Sequence, residues 1–140
     1  MKSSPAILSA LLLLSPFAHS GELAPGKWDL SVEMDAPGMP ENMRKRVQQD
    51  CLTPELAEDP EGALKKNWKQ DNCDVGEIKR AGDTLSWSAD CTFPGTNAKT
   101  NITGKMVVHD EKHYTTEMTV KGNNHTMTTR TEARWAGVCD

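Results

Sequence analysis

Three methionines, Met34, Met39 and Met43, fall in or beside a loop of prolines and glycine over residues 35–42. Thioether sulfur is a soft ligand that favours Cu(I). The same side chains also serve as adaptable apolar cover over the rim of a sheet. No histidine or free cysteine accompanies them in sequence, so packing is the expected role. His109 and His113 flank a hairpin tip centred on Glu111, with Asp110 beside it. Two imidazoles and a carboxylate are a possible Zn²⁺ set, but a turn tip holds ligands loosely and solvated turns share this composition. A third set is larger. Trp28, Trp87, Met106, Tyr114, Met118, Met127 and Trp135 occupy inward positions of expected strands. Together they describe either a filled core or a site for a small apolar ligand such as a lipid or hydrophobic metabolite. Hydrolytic machinery is missing. There is no Gly-x-Ser-x-Gly elbow, no His-Glu-x-x-His helix and no phosphate-binding glycine loop. The carboxylates fall on outward strand positions and turns. No enzymatic activity and no cofactor are expected.

The elements that must position these residues are strands. Residues 27–34 alternate strictly, with Trp28, Leu30, Val32 and Met34 on the inner side. Residues 44–52 form a weaker strand, with Val47 and Cys51 expected on its buried side. Thr53-Pro54 and Asp59-Pro60 each put a capping oxygen ahead of proline. They predict a single turn at 54–57 and a short helix at 60–66, weakened by Gly62. Residues 73–80 and 84–91 flank Ala81-Gly82-Asp83 as a hairpin. Centred on Gly82, it sets Cys73 opposite Cys91, close enough for a disulfide. Four cysteines allow three connectivities; this one leaves Cys51 to pair with Cys139.

A second hairpin, centred on Glu111, opposes residues 102, 104, 106 and 108 to 120, 118, 116 and 114. A two-residue turn at Gly122-Asn123 then sets Val120 opposite His125 and Met118 opposite Met127. Inner and outer assignments agree through all three strands, which a one-residue slip would destroy. The expected fold is all-β: an antiparallel curved sheet or open barrel of seven or eight short strands, with one short helical insertion and two disulfides.

The chain has 140 residues. Lys2, an apolar run over residues 6–14 and the Ala18-His19-Ser20 end read as a signal peptide cleaved after Ser20. The single domain is expected over residues 21–140. Removing Lys2 from the 16 basic residues leaves 15 against 20 acidic ones, a net charge of −5. That balance argues against nucleic acid or an anionic membrane as partner. No stretch reaches the roughly 20 apolar residues of a membrane span. An even cysteine count behind a signal peptide fits an oxidising compartment.

One ordered set of residues carries a resemblance. Pro25-Gly26-Lys27-Trp28, Pro37-Gly38-Met39-Pro40, Val47, Cys51-Leu52-Thr53-Pro54-Glu55, Cys73, Trp87, Cys91, and a closing Gly137 and Cys139 follow one another along the chain. In this order they resemble the DUF3617 family of secreted bacterial proteins. The resemblance implies a periplasmic protein of a Gram-negative envelope and supplies no catalytic residues. The expected function is therefore a non-enzymatic periplasmic binding or accessory protein, with a small apolar ligand on the inner face. Two other roles compete: copper or zinc handling through the sites above, and a structural envelope module that contacts a partner protein.

Overall fold

The computed structural model describes residues 22–92, 95 and 97–140. The expected signal peptide lies outside the described residues. Seven strands form one antiparallel sheet: β1 (Gly26–Asp35), β2 (Lys45–Leu52), β3 (Cys73–Ala81), β4 (Thr84–Thr92), β5 (Lys99–Asp110), β6 (His113–Lys121) and β7 (Thr126–Gly137). Their order across the sheet is β2-β1-β7-β6-β5-β4-β3. The sheet is open, with β2 and β3 at its edges. Strands β3 to β7 follow the chain as a meander, and β1 returns to lie against β7.

The helical insertion is two helices, α1 (Pro54–Glu58) and α2 (Pro60–Gln70). Both start as their caps require: Leu56 N–H donates to Thr53 Oγ1, and Gly62 N–H donates to Asp59 Oδ1. Helix α2 runs past Lys66, the expected end, because its last turn has apolar support. Trp68 packs against Trp87 of β4, ring centroids 6.4 Å apart.

Side chains alternate along each strand, so one sheet face collects the apolar residues. Trp28, Leu30, Val32, Leu85, Met106, Val108 and Ala133 form its buried core, with Met34, Ile78, Trp87, Tyr114 and Trp135 packed against them. Trp28 is 2% exposed and Ala133 is fully buried. The small Ala133 lets Trp28 and Tyr114, one strand to either side, meet at 5.0 Å between ring centroids. At the other end of this face the Cys73–Cys91 bridge packs with Ala89. The residues ahead of β1 also belong to the core. Leu23 is buried; Ala24 N–H donates to the Glu111 carbonyl at 2.7 Å, and the Trp28 indole N–H donates to the Ala24 carbonyl at 3.0 Å.

Both predicted disulfides are present, Cys51–Cys139 and Cys73–Cys91. The register behind the second differs in an instructive way. Ala81 pairs with Thr84, so the turn is the two residues Gly82-Asp83, one residue out of phase with a hairpin centred on Gly82. A bulge between Val75 and Ile78 restores the phase, and Cys73 meets Cys91. Gly76 sits in that bulge because a Cβ there would come within 2.6 Å of Ser88 Oγ. The β5–β6 register is as expected from Ile102↔Val120 to Val108↔Tyr114.

Two expectations need correction. Val47 is 76% exposed and Cys51 is exposed. In β2 it is Arg46, Gln48 and Asp50 that oppose Val32, Leu30 and Trp28, so Val47 and Cys51 point to the other face. The turn after β6 is longer by two residues: Lys121 pairs with Thr126, and Val120 opposes Met127 rather than His125. A shift of two preserves every face assignment, as the period-2 pattern demands. Gly104 provides no empty space beside Met118, for the Trp87 indole fills it. A Cβ on Gly104 would meet that ring at 2.6 Å.

Candidate functional site

The face opposite the tryptophans carries the charge. Cross-strand pairing sets five side chains in one row over five strands. Glu33 opposes Lys45 on one side and Arg130 on the other; Glu117 opposes Arg130 and Lys105. Read from β2 to β5, the row is Lys45, Glu33, Arg130, Glu117, Lys105, with signs that alternate without a break. Opposite charges directly across a strand pair each contribute a few tenths of a kcal/mol up to about 1. The central pair is closed, with Arg130 Nε 3.1 Å from Glu117 Oε2. Among the described residues the side chains of Lys45, Glu33 and Lys105 hold no ion pair or hydrogen bond, so both ends of the row are open to a ligand.

This row borders a groove of about 700 Å³. A parallel row of Val47, Ser31, Glu132, Thr115 and Val107 also lines it. The Arg134 guanidinium donates to Glu132 at 2.6 Å and holds that carboxyl below the usual carboxylate range. The groove thus offers two apolar contacts, several hydroxyls and, at each of its two ends, an ammonium group not closed into an ion pair.

Beside it stand the two histidines. They stack, with ring centroids 4.5 Å apart. They are not opposite one another, because Asp110 pairs with His113 and a bulge falls between Val108 and Asp110. His109 Nε2 lies 3.0 Å from Thr115 Oγ1, and His113 Nε2 lies 3.3 Å from Glu132 Oε1. Among the described residues no group of three or more histidines, cysteines or carboxylates is placed to hold a metal ion. The methionines occupy different settings. Met34 packs on the core, and Met43 is 59% exposed at the end of a 3₁₀ turn, Glu41–Met43.

The apolar candidates lie together on the tryptophan face. Trp28, Trp87, Met106, Tyr114 and Trp135 join one cluster, while Met118 and Met127 are half-buried farther along β6 and β7. Among the described residues Trp87 Nε1 is buried without an acceptor, and Trp135 Nε1 donates to the Pro25 carbonyl at 3.1 Å. The groove therefore lies across the sheet from the residues that composition singled out.

The profile of a family described as a protein of unknown function (DUF3617) matches residues 23–139. The chain belongs to the DUF3617 family. No curated protein and no solved structure matches it. The match starts at Leu23, the first core residue of this DUF3617 domain, and ends at Cys139, the last disulfide partner.

Tyr114 is the domain's only tyrosine and reports on the tryptophan face. Burial raises its phenol above the usual value of 10, and the Asp50 carboxylate pushes it further in the same direction. The unfolded chain thus ionises first, so stability present below pH 10 is lost as the pH climbs toward the folded-state value. Tyrosinate absorbance should show a midpoint above 10 that moves down in Asp50→Asn. A midpoint at or below 10 contradicts the packing described.

Proposed function

We propose that this DUF3617 domain is a non-enzymatic binding or accessory protein of the periplasm, and that its ligand lies in the groove on the charged face. The carrying observation is the groove itself. Its volume falls within the range of small-molecule sites, and its lining combines Val47 and Val107 with the free ends of a charge ladder. The ligand class that fits is a small anionic or zwitterionic molecule with an apolar portion. The tryptophan face is the weaker candidate, since Trp28, Leu85 and Ala133 are each 2% exposed or less.

Export is supported by two disulfides, which persist in oxidising compartments. Among the described residues no helix is long and apolar enough to cross a membrane.

Native mass spectrometry of the protein purified from the periplasm tests the proposal. A co-purifying small molecule should be present in the wild type and lost in Lys105→Glu, a substitution on exposed surface that leaves the fold intact. Repeated preparations with nothing bound, or a ligand retained in full by Lys105→Glu, overturn it.

A further inference from the structure

The open edge of the sheet has a self-complementary sequence. Strand β2, Lys45–Leu52, pairs on one side with β1 and on its other side with no described strand. The opposite edge is covered. Helix α2 lies against β3, where Arg80 Nε is 3.9 Å from Glu61 Oε1, and β3 carries the bulge.

The hydrogen-bond phase of β2 follows from its first bond. Met34 N–H donates to the Arg44 carbonyl at 2.7 Å, and the β1–β2 register continues from there without a shift. In an antiparallel pair, residues alternate between those that bond the partner strand and those whose N–H and C=O turn away. Even-numbered residues of β2 therefore bond β1. The backbone groups of Lys45, Val47, Gln49 and Cys51 point outward, unpaired.

We infer that β2 is the interface of a symmetric dimer in which two copies pair edge to edge, antiparallel, about a two-fold axis through Gln48. A symmetric contact presents the same patch twice, so outward residues must pair with outward residues. Only some registers then avoid like charges. An axis at Arg46 sets arginine against arginine, and an axis at Asp50 sets aspartate against aspartate. The axis at Gln48 sets Arg46 opposite Asp50 of the second copy, and by symmetry does so twice. These two pairs fall at non-hydrogen-bonded positions, where side chains approach most closely. Arg46 and Asp50 are both exposed and free of other ion pairs among the described residues. The same register pairs Lys45 with Cys51 and Val47 with Gln49, which covers the exposed valine. Charged residues on an edge usually protect it from indiscriminate pairing. Axes at Val47 and Gln49 also avoid like charges, but within β2 the axis at Gln48 is the one that sets opposite charges against each other. The inference rests on the edge alone and is independent of any ligand in the groove.

Analytical ultracentrifugation of the purified, disulfide-bonded chain should show a concentration-dependent doubling of mass. Val47→Pro removes an outward N–H without touching the bonds to β1 and should leave a folded monomer. Arg46→Asp should weaken association at least tenfold, and Arg46→Asp with Asp50→Arg should restore it. Under mild oxidation Gln48→Cys, on the axis, should form a covalent dimer, while Val47→Cys should not. A wild-type chain monomeric up to about 1 mM, the weak end of specific association, overturns the inference. So does a dimer indifferent to Val47→Pro, or cross-linking through Val47→Cys in place of Gln48→Cys. Should Val47→Pro fail to fold, the charge swap and the cross-link decide the matter alone.

Discussion

Replacing Cys51 and Cys139 together by serine should lower the unfolding free energy by about 4 to 5 kcal/mol in the loop-entropy relation. The two residues are 88 apart in sequence, so the bridge removes a large share of the unfolded chain's freedom. It also acts where the fold is weakest. Strand β2 is exposed along almost its whole length and has a single strand neighbour. Its attachment therefore depends on the β1 ladder and on the tie from Cys51 to the tail beyond β7. The Cys73–Cys91 bridge closes only 18 residues, and its removal should cost about 3 kcal/mol by the same relation. Urea denaturation of the two double-serine variants checks the order, and hydrogen exchange should show β2 loosening first when the long bridge is absent. A larger loss from the shorter bridge would mean that native-state contacts, rather than loop length, set the effect.

Trp28→Ala should cost about 3 to 5 kcal/mol, the range for deleting a fully buried aromatic side chain. Trp28 combines three roles at one point. It is 2% exposed, it meets Tyr114 at 5.0 Å, and its indole N–H donates to Ala24, which itself donates to the tip of the β5–β6 hairpin. The truncation leaves a cavity above Ala133, which is too small to close it. It also frees Leu23 and Ala24 from the core. Val47→Ala, on an exposed edge position, should change stability by no more than about 0.5 kcal/mol. Equal effects at the two positions, measured by chemical denaturation, would show that the assignment of faces is wrong.

Much of this is legible in the sequence. Alternation along β1, β5 and β6 sorted the two faces correctly, since a strand turns successive side chains to opposite sides whatever its neighbours are. Hairpins between consecutive strands were readable too, because short connections leave few registers to choose among. Even the misjudged turn after Val120 did no harm to the faces, being displaced by two residues. The Cys73–Cys91 pairing came out correctly although a bulge and a shorter turn each displaced the register, since those displacements cancel.

What the chain alone could not show depends on residues distant in sequence. Strand β1 pairs with β7, the last strand of the chain, and thereby leaves β2 at an edge where Val47 faces solvent. Leu23 enters the core only because the tip of the β5–β6 hairpin comes to meet Ala24 beside it. Lys45, Glu33, Arg130, Glu117 and Lys105 are unremarkable outward charges in five separate strands. They become a ladder bordering a groove only when strand order and all four registers are set. Periodicity is a local property of the backbone and is written in the chain; a surface made by five strands exists only after long-range pairing has chosen their neighbours.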